Sequence, residues 1–420
     1  MKNKGILAVL KEKGAKIHCA QTIEIGPEVD PDRIEGRGLT IYPGCRIYGA
    51  DTVILAGAEL GAEGPVTIRN CFIGKDVKLK SGTFEGSCFL DQSSIGPGGQ
   101  VRAGCLIEEG ARGAHTVALK QTILFPYVTL GSLINFCDCL MAGGTDEKNH
   151  SEVGSSYIHF NYTPNQDKAT ASLIGDVPRG VMLKEPPVFL GGQGGIVGPV
   201  RIAYGVVVAA GTIVRKDLAE EDKMLLGTGT LSRTVPFHQG LYTNIGRIIE
   251  MNSLYIANLI ALRRWYRDVR GLFFRDGNLE RKFFEGALQV IDSAISERVK
   301  RLGEVAERIP RSIEIYRRVK GIPKGEDTTI VRKLHFYENW ERVKEVFELS
   351  KEGQGDQGRR VRFMEIIEQK IGEKGKDYIS VIKGLNQEEA SLGTEWLQGI
   401  VDGVVEQVWR CLPEYGRKRG

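Results

Sequence analysis

The sequence predicts a protein that is mainly β in its first half and α-helical in its second half: a parallel β-helix followed by a helical bundle. Two observations support this prediction. In the first half, an aliphatic residue recurs every six residues, with a small residue three places after it. From about residue 244, apolar residues such as Tyr255, Leu259 and Leu262 recur instead at helical spacing. A repeat of six fits neither a helix nor a hairpin, and it is typical of a parallel β-helix.

The hexapeptide repeat is clearest in the middle of the first half. It reads Ile95-x-x-Gly98, Val101-x-x-Gly104 and Ile107-x-x-Gly110, and it returns later as the row Ile196, Ile202, Val208 and Val214. Each aliphatic side chain should point into the core, while the small residue lets the chain turn a corner. We therefore predict that five of these residues are buried, namely Ile95, Val101, Ile107, Ile202 and Val208.

The pattern divides the chain into three parts. Residues 1–24 are predicted to form an N-terminal cap, residues 25–240 the β-helix domain and residues 244–420 the α-helical domain. Hexapeptide character extends from about residue 25 to residue 217, enough for about ten coils of three six-residue sides. Residues 143–156 and 163–172 break the six-residue phase, and loops of this kind on a rigid scaffold often carry function.

The composition excludes several classes of partner. A net charge of +4 over 420 residues is too weak to indicate nucleic acid or a membrane surface. No apolar run reaches the length of a transmembrane helix, and the N-terminus lacks a signal-peptide core. We expect a cytoplasmic protein. Cys137 and Cys139 are the only close cysteine pair and have no second pair nearby, so no metal is expected.

Two cations are spaced by one predicted coil. Arg102 follows the inward-facing Val101, and Lys120 follows 18 residues later on the same phase, so both should face outward one above the other. Stacked cations repel unless an anion lies between them, and a phosphate fits an Arg fork beside a Lys point charge. The alternative is a solvated pair neutralised by Glu108 or Glu109.

A second cluster is the segment from Tyr157 to Tyr162. Ile158 and Phe160 suit the core, so the alternation predicts that Tyr157, His159 and Asn161 project outward together. His159 is then a candidate general base, because its ordinary pKa lies near neutrality. An exposed histidine without a role is the alternative.

Taken together, several short motifs resemble a known family. They are Asp30-Pro-Asp-Arg33, Val101-Arg-Ala-Gly104, Ala118-Leu-Lys120, Asn161-Tyr162, Ile174-Gly-Asp176, Val197-Gly-Pro-Val200, Ala209-Ala-Gly-Thr212 and Leu231-Ser-Arg233. Their order and spacing resemble the C-terminal left-handed β-helix domain of the bifunctional N-acetylglucosamine-1-phosphate uridyltransferase/glucosamine-1-phosphate acetyltransferase. The resemblance extends from about Asp30 to Pro236 and leaves out the helical part.

The resemblance implies a left-handed coil, a homotrimer with active sites between neighbouring subunits, and acetyl-CoA as cofactor. The family's Arg and Lys that bind an amino-sugar phosphate correspond to Arg102 and Lys120. The remaining candidates divide into substrate-binding and cofactor-binding residues. The substrate-binding candidates are Asn161, Tyr162 and Lys168, and the cofactor-binding candidates are Ala209, Ala210 and Arg233.

The chain also departs from the family. Counted without gaps, Ser132 stands where the family has its catalytic histidine, and Asn135 replaces a tyrosine. A serine cannot act as a general base near pH 7. The family's nucleotidyltransferase domain has no counterpart in this sequence, so pyrophosphorylase activity is not implied.

Two hypotheses remain open at the level of sequence. The first is a CoA-dependent acyltransferase acting on an amino-sugar phosphate or a nucleotide sugar of the UDP-N-acetylglucosamine type, with His159 or His150 replacing the lost base. The second is a non-catalytic, trimeric binder of sugar phosphates or nucleotide sugars, whose helical domain docks a partner. They differ in whether any histidine projects into the cleft that holds Arg102 and Lys120.

Overall fold

Short parallel strands stack into three faces in the first half of the chain. The structure is a computed structural model and describes residues 2–227, 234–274, 277–322 and 327–416. Over the described residues the first face has eleven strands, which sets the number of coils there at about eleven. They are Lys16–Ile17, Thr40–Ile41, Glu59–Leu60, Lys78–Leu79, Ser94–Ile95, Arg112–Gly113, Thr129–Leu130, Glu152–Val153, Phe189–Leu190, Val207–Val208 and Met224–Leu225.

The second and third faces share two long strands, Val117–Leu124 and Ile134–Met141, which pass through the corner between them. The other strands of the second face are Glu24–Ile25, Arg46–Tyr48, Val66–Arg69, Gly82–Glu85, Gly99–Val101, Tyr157–Phe160, Gly195–Val197 and Ile213–Val214. Those of the third face are Val53–Ile54, Phe72–Ile73, Cys88–Phe89, Leu106–Ile107, Ser172–Ile174 and Arg201–Ile202. The predicted β-helix is confirmed.

The hexapeptide residues have the roles that the sequence predicted. Ile95, Val101, Ile107 and Val208 are 0% exposed and Ile202 is 2% exposed. The small residues turn the corners: Gly98, Gly104 and Gly110 adopt φ of 73°, 83° and 64°, one in each corner of a single coil. This is the left-handed region that glycine enters without a steric cost.

The first strand, Lys16–Ile17, pairs with Thr40–Ile41 and lies before the start of the hexapeptide pattern. Helix α1 (Lys2–Glu12) precedes it and places Leu7 and Leu10 in the same apolar core as the coils. Two single-turn 3₁₀ helices, Ala20–Thr22 and Pro31–Arg33, and a one-turn helix, α2 (Val177–Gly180), interrupt the coils.

The second half of the chain is helical, as predicted. Its helices are α3 (Ile245–Asp268), α4 (Asn278–Lys320), α5 (Thr328–Glu338), α6 (Trp340–Ser350), α7 (Gln357–Lys374), α8 (Tyr378–Lys383), α9 (Gln387–Cys411) and α10 (Pro413–Gly416), with a 3₁₀ turn at Arg270–Leu272. The segment Ile245–Leu272 is long and apolar enough to cross a membrane by length and composition. However, 72% of its apolar window is buried inside the molecule, so it is not a clear membrane span.

The helices cover the third face. Apart from the exposed Arg201 of the last strand, its outward-facing side chains are apolar and buried against the helices. We call the buried ones the covered row, and they are Val53, Phe72, Cys88, Leu106, Ile123, Leu140 and Leu173. Burying one such large side chain contributes about 1.5–3 kcal/mol. Because the covered row and the helices belong to one apolar cluster, the two halves of the chain share a core.

Candidate functional site

Arg102 and Lys120 lie on consecutive coils at the corner between the second and third faces. Val101 pairs with Leu119, and the Arg102 N–H donates to the Leu119 carbonyl oxygen at 2.8 Å, so the next two residues are in register. Arg102 is exposed and Lys120 is partly buried. Within the part of the chain that the structure describes, neither side chain forms an ion pair with a carboxylate.

Glu108 and Glu109, the carboxylates that could have neutralised this pair, are held by the helical half instead. Glu108 accepts a hydrogen bond from the Tyr266 hydroxyl at 2.5 Å and is 2% exposed. Glu109 forms an ion pair with Arg270 at 2.5 Å. Burial raises the pKa of Glu108 to about 7. Glu108 and Glu109 are therefore not available to neutralise Arg102 and Lys120, which counts against that alternative.

The next coil continues the same corner. Lys120 pairs with Cys137, 17 residues later, and burial raises the pKa of the Cys137 thiol. Asp138 adds to that rise, whereas the nearby charges of Arg102 and Lys120 oppose it, so both cations approach the thiol. We call Arg102, Lys120, Cys137 and Asp138, which follow one another along this corner, the ligand edge.

Asn161 joins the ligand edge from the following coil. Its Nδ2 donates to Asp138 Oδ2 at 2.8 Å, and the neighbouring Tyr162 is 57% exposed. Lys168 is partly buried, and its backbone carbonyl accepts from Arg298 Nη1 at 3.1 Å. The structure thus places Arg102, Lys120, Asn161 and Lys168 along one side of the molecule.

The predicted orientation of His159 was wrong. Tyr157 and His159 are 0% and 2% exposed, while Ile158 and Phe160 point outward and are 39% and 41% exposed. Tyr157 pairs with the inward-facing Ile134, and residues in register on parallel strands face the same side. Register with the previous coil, rather than the hydrophobicity of Ile158 and Phe160, therefore sets the direction of this strand.

His159 is a neutral residue of the interior at pH 7. Its Nε2 lies 2.7 Å from Ser172 Oγ. Burial lowers its pKa to about 4, although the nearby Asp138 opposes the shift. A buried imidazole of this kind does not reach a ligand on the exposed corner, which counts against the role of general base.

Three other predicted residues lie away from the ligand edge. His150 is at the corner between the third and first faces, with Nδ1 2.8 Å from the Glu147 carbonyl oxygen. Ala209 and Ala210 follow the strand Val207–Val208 at the corner between the first and second faces. Arg233 lies outside the described residues. One chain alone therefore does not bring His150, Ala209 or Ala210 to Arg102 and Lys120.

Sequence reasoning missed a histidine at the corner of Ala209 and Ala210. The exposed His115 has Nδ1 2.8 Å from Ser132 Oγ, and the Ser132 N–H donates to Ser155 Oγ at 3.2 Å. The signal was available, because His115 precedes Ser132 by 17 residues, one coil. Ser132, which stands where the resembling family has its catalytic histidine, therefore contacts a histidine of the previous coil.

A separate cleft of about 610 Å³ lies between the coils and the helices, at the corner between the third and first faces. Asp91, Tyr127 and Lys383 are among the residues that line it. Burial raises the pKa of Asp91 to about 6. Among the described residues, no group of three or more His, Cys, Asp and Glu side chains could hold a metal ion.

The β-helix fold supports a hexapeptide transferase-like protein, and its coils fit a left-handed β-helix domain. Curated relatives agree with this class. The chain is 26% identical over 216 residues to the "Bifunctional protein GlmU" of Nitratidesulfovibrio vulgaris strains DP4, Hildenborough and Miyazaki F. The aligned region is 50% of this chain and 41% of the relatives' length, so the chain matches well under half of each relative. No protein-family profile matches the sequence.

Proposed function

We propose that this protein binds a phosphate-bearing sugar, an amino-sugar phosphate or a nucleotide sugar, at the ligand edge. The observation that carries the proposal is that Arg102 and Lys120 stack on consecutive coils with no carboxylate partner among the described residues. Their repulsion is relieved when a phosphate lies between them. Arg102 would clamp two phosphate oxygens with its fork, and Lys120 would supply a point charge.

Asn161, Tyr162 and Lys168 would recognise the sugar. The Asn161 Nδ2 donates to Asp138, and no donor among the described residues reaches its Oδ1, which would accept a hydrogen bond from a sugar hydroxyl. Tyr162, the next residue in the chain, is 57% exposed. The sugar-phosphate ligand is the one that the family resemblance implies, and the likeness to proteins named GlmU agrees with that resemblance. We also propose a cytoplasmic location.

The test is calorimetric titration with glucosamine-1-phosphate and UDP-N-acetylglucosamine. A charge-assisted hydrogen bond contributes about 1.5–3 kcal/mol, so Arg102→Ala should weaken binding about tenfold to a hundredfold. Lys120→Arg should retain only part of the binding affinity, because an arginine fork and a lysine point charge differ in geometry. The matched control is Arg112→Ala, since Arg112 is an exposed arginine on the first face. Equal affinities for wild type and Arg102→Ala would contradict the proposal.

A second candidate function is acyl transfer from acetyl-CoA to the amine of the bound sugar. The contact between His115 and Ser132 favours it, because an exposed histidine at the corner of Ala209 and Ala210 could accept the amine proton. Within one chain the second face separates this corner from the ligand edge. In a homotrimer, the corner of one subunit could lie against the ligand edge of its neighbour.

Release of the CoA thiol in the presence of glucosamine-1-phosphate tests this second function. We expect His115→Ala to abolish transfer while leaving sugar-phosphate binding intact. If His159→Ala abolished transfer and His115→Ala did not, the role of base would return to His159. If wild type bound the sugar but released no thiol with any acyl donor, the non-catalytic hypothesis would stand.

A further inference from the structure

A buried arginine of the helical half reaches the ligand edge. Arg298 of α4 is 1% exposed, and its Nη2 lies 2.7 Å from Asp138 Oδ1. Its Nη1 donates to the Lys168 carbonyl oxygen at 3.1 Å. Since Asp138 Oδ2 accepts from Asn161, one guanidinium is linked to both ends of residues 161–168, which we call the ligand loop.

Further contacts fix the middle of the ligand loop to α4 and to the segment that leads into α3. Arg308 of α4 donates to the Asn165 carbonyl oxygen at 2.8 Å, and the Tyr242 hydroxyl donates to Asp167 Oδ2 at 3.2 Å. The Gly240 N–H donates to Asn165 Oδ1 at 2.8 Å. The ligand loop is therefore held from outside the coils along its whole length.

The arrangement around Arg298 indicates that it fixes the positions of its neighbours rather than adding to the free energy of unfolding. Taking a guanidinium and a carboxylate out of water is costly, so a buried pair is weak evidence for stabilisation. The contact between Arg298 and Asp138 instead fixes the direction of the carboxylate that accepts the hydrogen bond from Asn161.

We propose that Arg298 is a positioning residue for the ligand loop, and that the helical half is a structural part of the ligand site instead of a separate module for docking a partner. The inference rests on the proposed function for its ligand. Arg298 is buried and does not touch the sugar. It acts through Asp138, which orients the Asn161 amide, and through the Lys168 carbonyl, which fixes the end of the loop.

The experiment compares two buried helix-to-coil ion pairs. Arg298→Met removes the pair at the ligand edge, and the matched control Arg270→Met removes the pair with Glu109 at the opposite corner. Arg298→Lys is added because lysine keeps the charge beside Asp138, and thus the fold, but lacks the fork that also reaches Lys168. Hydrogen–deuterium exchange of residues 161–168 and titration with glucosamine-1-phosphate are measured for all four proteins.

We expect at least tenfold faster exchange of the ligand loop, and at least fivefold weaker binding, in both Arg298 variants. Arg270→Met should lower the melting temperature about as much as Arg298→Met does. It should nevertheless leave loop exchange and affinity within twofold of wild type. Wild-type loop exchange in Arg298→Lys, or the same loop exchange in Arg270→Met as in Arg298→Met, would overturn the inference. If wild type bound no sugar phosphate, the proposed function would fail, and loop exchange in the ligand-free proteins would still decide the role of Arg298.

Discussion

At the scale of single residues, His159 makes the fold sensitive to acid. Burial lowers its pKa from about 6.5 to about 4, so the unfolded chain binds a proton more readily than the folded chain between these values. Stability is therefore lost as the pH falls through this window, by up to about 3 kcal/mol. His159→Gln, which can still hydrogen-bond Ser172, should lose less stability between pH 7 and pH 4.5 in urea unfolding. An unchanged pH profile would contradict the assignment.

Asp91 should act in the opposite direction. Burial raises its pKa from about 3.8 to about 6, and Glu109 adds to the rise, so the folded chain holds the proton more tightly. Stability therefore falls as the pH rises through this window, and the charged carboxylate is unfavourable above it. Asp91→Asn keeps an acceptor for the Lys75 N–H and should stabilise the protein by about 2–3 kcal/mol at pH 8, with no gain at pH 3.5.

The control for this prediction is Asp146→Asn. Hydrogen bonding by the Lys148 N–H lowers the pKa of Asp146, so its neutralisation should not stabilise the protein at pH 8. If both variants were equally stabilised, a general reduction of negative charge would be the cause. Urea unfolding of the three proteins at both pH values separates these outcomes.

What the sequence could predict at this scale depended on register. The spacing of Arg102 and Lys120 was sufficient, because both follow inward-facing residues of an unbroken repeat. His159 lies after a loop that resets the phase, and only its pairing with the previous coil shows which way it faces. Arg298 could not have been found, since helical spacing indicates that a residue faces inward but not which distant carboxylate it meets.

At the scale of elements, Gly286 lets α4 pack closely on the third face. A Cβ at this position would lie 2.1 Å from the ring of Phe72 in the covered row. Gly286→Ala should therefore destabilise the protein, although alanine has the higher helix propensity. Gly403→Ala on α9 is the control: nothing lies within 4 Å of its Cβ position, so we expect a gain of about 0.5–1 kcal/mol. Thermal unfolding that ranked the two variants the other way round would refute this packing argument.

The covered third face has a sequence signal that the six-residue pattern conceals. Its strands carry two apolar residues in succession, as in Val53–Ile54, Phe72–Ile73 and Leu106–Ile107. A strand that is buried on both sides has such a run, whereas a half-exposed strand alternates. The hexapeptide period identifies only the inner residue of each pair. The sequence therefore predicted the coils and the helices, but not that they share a core.

At the scale of the whole molecule, we predict a homotrimer whose contacts avoid the third face, since the chain's own helices occupy it. The second face carries a row of exposed apolar side chains at Ile158, Phe160 and Ile213. Ile158→Glu should therefore shift the sedimenting species from trimer to monomer. Val331→Glu, at an exposed apolar residue of α5, should leave the trimer intact. A wild type that sediments as a monomer at micromolar concentration would refute the trimer.

The covered row also has a consequence for the nascent chain on the ribosome. The ribosome completes the coils before it has made any of the helices that shield Leu106, Ile123 and Leu140. At about 5–20 residues per second, the synthesis of α3 and α4 leaves this apolar surface exposed for roughly 4–15 s. During that interval neighbouring nascent chains can associate through the exposed covered row. A chain cut short before α3 should therefore precipitate or be captured by chaperones, even though every coil is present.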